Sequence, residues 1–341
     1  MNLYTPSSPH FHSQNNVTSI MLTVLYALIP GITVYVLFFG FGILINILIA
    51  VVTALSCEAI MLKIRNRPLL PFLTDGSAVV TAVLLAISIP SIAPWWMIFL
   101  GTAFSIIIAK HLYGGLGYNL FNPAMIGYCM LLISFPREMT TWALPLSLSE
   151  NYLGPLDSFA FSFFNVTQAQ IDAVSGATPL DYLKTQLGLE KNISQIVNNH
   201  ETFSLFSGVG FEWVNIAFLI GGIWLIKRKV IHWHIPASLI SSLFAIALLF
   251  YLIDSEQFSS PIFHIFGGAT ILAAFFIATD PVSAAATVKG RIIYGASIGV
   301  LIYLIRTWGG YPDAVAFAVL LLNMCVPIID YYTKTMPYGH K

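Results

Sequence analysis

Long apolar runs, parted by short polar breaks, dominate the chain and set its architecture. They fall at 20–39, 42–62, 77–90, 95–113, 122–135, 212–226, 236–253, 263–279, 292–306 and 314–330. A helix rises about 1.5 Å per residue, so about 20 residues cross the hydrocarbon core of a bilayer. Several runs reach that length. The third, fifth and sixth are shorter, at 77–90, 122–135 and 212–226, and are expected to be tilted, sheltered by neighbours or broken near mid-membrane. The pattern predicts an all-α polytopic membrane protein with about ten transmembrane helices.

Composition narrows the class further. Of 341 residues, 57% are hydrophobic and 9% charged, with mean hydropathy +0.81. Soluble domains carry about 25% charged residues, so this chain needs a lipid bilayer as its solvent. Its 15 basic and 15 acidic residues cancel, which points to no nucleic-acid partner. Cys57, Cys129 and Cys325 each lie inside an apolar run without a CxxC pattern, so they read as small hydrophobes and not as zinc or iron–sulfur ligands.

Charge placement gives an orientation. With the N-terminus in the cytoplasm, Lys63, Arg65, Arg67, Lys110, Lys227, Arg228, Lys229, Lys289, Arg291, Lys334 and Lys341 fall inside, and Arg137, Lys184, Lys191 and Arg306 outside. That bias obeys the positive-inside rule. The N-terminus lacks the basic and short apolar regions of a cleaved signal, so the first span is expected to act as an uncleaved insertion signal. The expected organisation is a cytoplasmic segment 1–19, a first five-helix repeat 20–135, a long outer loop 136–211, a second five-helix repeat 212–330 and a cytoplasmic tail 331–341.

The repeat is read from matching segments. Gly76 to Pro90 aligns without gaps on Gly267 to Pro281, keeping Gly76/Gly267, Ala78/Ala269, Ala82/Ala273 and Pro90/Pro281. His111-Leu-Tyr-Gly-Gly follows in the first half and Arg306-Thr-Trp-Gly-Gly in the second. Five spans per half is an odd number, so the halves must be inverted relative to each other, as in many transporters.

The outer loop holds the segment Asp172-Ala-Val-Ser175-Gly176-Ala177-Thr178-Pro179-Leu180. Its D-x-x-S-G-A-T pattern resembles the flavinylation motif in membrane and periplasmic subunits of Rnf-type and sodium-pumping quinone oxidoreductase complexes. In that family a flavin transferase joins the phosphate of FMN to the motif threonine, which here is Thr178. Asp172, Ser175, Gly176 and Ala177 complete the motif. The proline after Thr178 bars helical geometry at the threonine itself, and the small side chains of Gly176 and Ala177 would let a second enzyme close over the backbone. An ordinary polar turn is the alternative, since Ser, Gly, Thr and Pro favour turns.

The likeness covers most of the chain. Ser8-Pro9-His10, Leu73-Thr-Asp75-Gly76, Gly117-Tyr-Asn119-Leu-Phe-Asn122-Pro123-Ala124 and Ala278-Thr-Asp280-Pro281-Val-Ser resemble the D subunits of Rnf complexes. Only about 19 polar residues precede the first span, whereas the similar B subunits of sodium-pumping quinone reductases carry a longer N-terminal extension. The resemblance implies a subunit of a redox-driven ion translocase in a bacterial inner membrane, carrying covalent FMN in its periplasmic loop. It further implies electron transfer linked to NADH and ferredoxin and coupled to Na+ or H+, with the nicotinamide and iron–sulfur sites on the other subunits of the Rnf complex. No complete active site is expected in this chain alone.

Further candidates are ionisable groups near the spans. Asp75 and Asp280 fall near the expected cytoplasmic face. They are candidates for an ion path or for a second, non-covalent flavin, since relatives bind riboflavin on that side; helix capping is the alternative for Asp75. Glu58 reads as a residue that snorkels to, or pairs with, the cluster at Lys63. Carbonyls freed at Asn122-Pro123 and Asp280-Pro281 are potential ligands for an ion or cofactor, a structural kink being the alternative. His10 and His12 lack the companions of a metal site. Without the motif, the inverted repeat alone would suggest a small-solute transporter or channel, or a cofactor-free scaffold subunit.

Overall fold

The computed structural model describes residues 16–149, 154–164, 167–198, 201–204, 206–311 and 313–334. His10, His12 and Lys341 lie outside them. Every one of the ten apolar runs contains helix. The first half comprises α1 (Val17–Phe39), α2 (Gly42–Ile64), short α3 (Leu69–Leu73), α4 (Ser77–Ser88), α5 (Trp95–Phe104) and α6 (Pro123–Ser134), and α5 widens into a π-helical stretch over Ser105–His111. The connecting segment holds α7 (Pro136–Thr140), β1 (Trp142–Ala143), α8 (Pro155–Phe163), α9 (Gln168–Val174), β2 (Ser175–Gly176), α10 (Pro179–Leu187) and α11 (Ile193–Asn198). The second half follows with α12 (Phe211–Lys227), α13 (His234–Ile253), α14 (Pro261–Phe266), α15 (Thr270–Leu272), α16 (Val288–Trp308) and α17 (Val315–Tyr332), and α15 continues as a π-helical stretch over Ala273–Ile277.

Among the described residues, six segments are long and apolar enough to cross a membrane on their own: Val17–Phe39, Gly42–Ile64, Leu69–Ser88, His234–Ile253, Val288–Trp308 and Val315–Tyr332. The chain is a multi-pass membrane protein, and mostly helical. The departure from an all-α fold is the two-residue ribbon of β1 and β2, antiparallel with Trp142 opposite Gly176.

The two halves pair their helices alike. The second helix of each half packs on the third and fourth elements: α2 on α4 and α5, α13 on α14, the Ala273–Ile277 stretch and α16. Across the halves, α1 packs on α12 and α6 on α17. Helices in lipid approach closely where side chains are small. A Cβ on Gly295 would stand 2.7 Å from the Ile235 carbonyl oxygen, and one on Gly299 2.4 Å from that of Leu239, so this small-xxx-small pair on α16 lets it press against α13.

Helix breaks leave carbonyls that lipid cannot satisfy, and four buried asparagines answer them. Asn46 Nδ2 donates to the Pro90 carbonyl at 3.0 Å, Asn122 to Ile277 at 3.2 Å and Asn323 to Ser283 at 3.3 Å. Asn215 donates to Phe266 at 2.8 Å and to Gly268 at 3.1 Å, on either side of the Gly267 break that splits the eighth apolar run. The Ile277 carbonyl, four residues before Pro281 and expected from the sequence to be free for an ion or cofactor, is therefore held by an amide, as are the carbonyls at the unexpected Gly267 break. Pro123 opens α6 at its first position, with Asn122 Oδ1 accepting from the Ala124 and Met125 amides. It starts a helix and kinks none.

Candidate functional site

The candidate motif lies on one continuous stretch. Asp172 is exposed on α9, Ser175 and Gly176 are half-buried in the ribbon, and Ala177 is exposed. The Leu144 amide donates to the Val174 carbonyl at 2.9 Å, extending the ribbon. A Cβ on Gly176 would meet Leu144 Cδ2 at 2.6 Å, so a side chain here would have to push the Leu144 side chain aside.

Thr178 is the N-cap of α10. Its backbone is extended, at φ −64° and ψ 156°, because Pro179 follows. Its Oγ1 accepts from the Asp181 amide at 3.3 Å, a long bond that leaves the hydroxyl proton available. The helix behind it is pinned on two sides. Leu180 and Leu183 are buried with Ile196 and Phe263, and the Lys184 ammonium donates to the carbonyls of Ile305, Gly309 and Tyr311 at the C-terminal end of α16. A cation there complements the helix dipole. Burial raises the Asp181 carboxyl above its usual value, an effect that Lys184 partly offsets. Burial also lowers the Lys184 ammonium, with Asp181 opposing.

Thr178 and Asp181 line a cavity of about 110 Å³ that descends between the halves. Its walls come from the first, third and fifth helices of each half, including Tyr35, Met125, Tyr128, Phe218, Leu272 and Ala316. Enclosed ligand pockets usually measure about 300–1,000 Å³, so this one takes the edge of a flat ring and leaves the rest outside. An apolar, aromatic-lined slot below a helix-capping hydroxyl fits a flavin held by its phosphate: the N-terminus of α10 favours an anion, while the ionised Asp181 opposes one.

Two buried charge clusters lie beyond the motif, and Asp313 of the second lines the same cavity as Thr178. In the first, Lys110 Nζ lies 2.9 and 2.8 Å from the two Glu58 oxygens and donates to Ser77 Oγ at 2.9 Å. Ser77 in turn donates to Asp75 Oδ1 through Oγ at 2.6 Å and through its amide at 2.7 Å. His111 Nε2 is 3.2 Å from Glu58, and Arg65 donates to the His111 carbonyl at 3.0 Å. Glu58 is only 2% exposed. The expectation that it snorkels to the Lys63 cluster is corrected, since its cation is Lys110, across the bundle on the π-helical stretch.

In the second cluster Arg306 donates to the His264 carbonyl at 2.7 Å, to the Gly267 carbonyl at 3.2 Å and to Asp313 Oδ1 at 3.2 Å. Asp313 also accepts from the Ala269 and Val315 amides. Asp280 belongs to neither cluster; its Oδ2 accepts from Ser283 Oγ at 2.6 Å and from the Ser283 amide at 3.3 Å. Asp75 and Asp280 thus make alike local turns with separate partners. Sequence reading missed Lys110, Arg306 and the four asparagines; the signal was a basic residue inside each of two otherwise apolar runs.

Known proteins resemble this chain along its whole length. A profile described as the NQR2, RnfD, RnfE family matches residues 4–339. A protein of Aliivibrio salmonicida, named as the D subunit of an ion-translocating oxidoreductase complex, is 50% identical, with 100% of this chain and 99% of that protein covered. Proteins of the same name from Escherichia fergusonii and Yersinia pseudotuberculosis are each 51% identical, with 98% of both chains covered.

Proposed function

Because the chain belongs to the NQR2, RnfD, RnfE family, we propose that it is the flavin-carrying D subunit of an ion-translocating oxidoreductase complex, with FMN joined through its phosphate to Thr178. The bound group supplies one- and two-electron redox chemistry. The chain supplies the position: Thr178 Oγ1 anchors the phosphate, the start of α10 favours its charge, and the cavity between the halves shields one edge of the ring from water. In this reading the ten apolar runs are ten crossings in two inverted halves, and the placement of basic residues puts both termini in the cytoplasm of a bacterial inner membrane and Thr178 on the outer side. Electron carriage is coupled to movement of Na+ or H+ in this reading. A flavin transferase matures the loop, and partner subunits hold the remaining redox sites.

The observation that carries the proposal is the D-x-x-S-G-A-T segment ending in a half-buried, helix-capping threonine. On a denaturing gel the wild-type band should fluoresce yellow-green, and Thr178→Val should be dark. Thr178→Ser should retain flavin because it keeps the hydroxyl. Valine forfeits only a cap, about 1 kcal/mol, so the variant still folds and the dark band reads chemistry. A dark wild-type band, or fluorescence surviving in Thr178→Val, overturns the assignment and returns the inverted halves to a transporter reading.

A further inference from the structure

Helix α8 (Pro155–Phe163) is amphipathic the wrong way round for a helix facing water. Its serines point in: Ser158 is 3% exposed and Ser162 2%. Its large apolar side chains point out: Leu156 is 84% exposed, Phe159 47% and Phe163 41%, with Phe164 just beyond at 67%. A water-facing helix presents the opposite pattern, and so many clustered apolar side chains mark a surface that is covered in use.

Its place in the fold says by what. Helix α8 packs on α2, and Phe163 stacks on Trp95 with centroids 6.3 Å apart and an interplanar angle of 9°. Phe159 stacks on Phe163 in turn, at 4.6 Å. Trp95 is the first residue of α5, and the start of α2 lies beside it, since a Cβ on Gly42 would touch the Ser91 carbonyl oxygen. The other ends of the same two helices are joined by Lys110 and Glu58. Helix α8 thus lies across one end of the bundle, at a tryptophan, where a spanning helix meets the headgroups. The helices it touches also expose apolar side chains: Leu44, Leu48 and Val52 on α2, and Phe99 and Leu100 on α5.

We propose that α8 is an interfacial helix, its Leu156, Phe159, Phe163 and Phe164 face sunk into the lipid surface at the end of the bundle that carries the motif loop. Segment 155–163 has no lysine or arginine, so the attachment rests on apolar burial and needs no anionic lipid. Leading directly into α9 and the ribbon before Thr178, it tethers that loop to the membrane surface. This inference stands whether or not Thr178 carries a flavin.

The test uses the whole complex in nanodiscs of zwitterionic phosphatidylcholine. Phe159→Cys in a Cys325→Ser background carries a bimane label, since Cys57 and Cys129 are buried and Cys325 is the exposed native thiol. Leu189→Cys, at a site 63% exposed past the end of α10, serves as the aqueous control. Nitroxide lipids labelled near the headgroup should quench the Phe159→Cys probe severalfold more than iodide does, with the order reversed at Leu189→Cys and no change on adding salt. Iodide reaching both probes equally overturns the proposal. So does protection from both quenchers, which would mean that a partner protein covers the face. Leu156→Cys repeats the measurement at the start of the helix if Phe159→Cys fails to assemble.

Discussion

Each half of the protein buries one cation at the end of its fourth helix, and the two are satisfied in different ways. Lys110 meets side chains, namely both oxygens of Glu58 and the hydroxyl of Ser77. Arg306 meets main chain, the carbonyls of His264 and Gly267, and adds a carboxylate, Asp313, that is 26% exposed. Lys110 thereby reaches the start of α4 at Ser77, and Arg306 the break between α14 and α15 at Gly267. The chemistry of the two ends is unlike. Arg306 is tied to the break between α14 and α15 by main chain, and its counter-charge, Asp313, stands at a partly exposed site. Lys110 has its counter-charge, Glu58, inside the same buried cluster, and Ser77 links the pair to Asp75. One half clamps its cation mainly with main chain, and the other pairs its cation with a buried carboxylate.

The sharpest test of that contrast is to remove each carboxylate charge without changing shape. Glu58→Gln leaves Lys110 buried with no counter-charge, and breaking a buried pair in this way costs about 3–5 kcal/mol. The variant should lose most of its folded complex on mild heating, followed by fluorescence-detected size exclusion. Glu58→Met combined with Lys110→Met removes both charges and should recover much of the lost stability while ion transport remains impaired. If Glu58→Gln were as stable as wild type, the cluster would already be neutral and the comparison would fail.

Asp313→Asn is the matching change in the other half, and a much smaller loss is expected. Arg306 keeps its two carbonyls, and an asparagine oxygen at the Oδ1 position still accepts from Arg306 and the Val315 amide, while the Ala269 amide loses its acceptor at Oδ2. What goes is the charge on the Arg306 bond and the bond from the Ala269 amide, at a partly exposed site, about 1–2 kcal/mol in all. The same heating assay should place Asp313→Asn near wild type and well above Glu58→Gln. Equal losses would show that both cations depend on their carboxylates.

How much of this was legible in sequence follows from which contacts are local. All ten apolar runs contain helix because lipid and core both demand apolar side chains, whatever the packing. The extended backbone of Thr178 was readable from the proline next to it, a constraint between adjacent residues. The partner of Glu58 was not, for Lys63 is near in sequence while Lys110 is 52 residues away. The break in the eighth run was hidden for a related reason: its carbonyls are held by Asn215 and Arg306, from helices on either side in sequence. Gly176 shows a third kind of gap, since the side chain packed against it, Leu144, comes from across a ribbon of two residues per strand.

Lys184 extends the contrast to a third cation, and there the expected effect is smallest and of opposite sign. Like Arg306 it is held by carbonyls, those of Ile305, Gly309 and Tyr311, and it has an acidic neighbour on its own helix, Asp181. Burial raises the Asp181 carboxyl above its ordinary value, so folding favours its protonated form. At neutral pH the carboxylate is ionised at a cost that fades as pH falls through the raised folded value and is gone below the ordinary one. Asp181→Asn should therefore stabilise the protein slightly at pH 7, by no more than a few tenths of a kcal/mol at this half-exposed site, with the gain vanishing in acid. Where Thr178 carries a phosphodiester, a second negative charge crowds the start of α10 and the gain should grow. Melting curves of Asp181→Asn and wild type at pH 4 and pH 7, each with and without Thr178→Val, measure both terms. A loss of stability at pH 7 would mean that Lys184 needs Asp181 as Lys110 needs Glu58, and that main-chain carbonyls alone do not hold a buried cation in this fold.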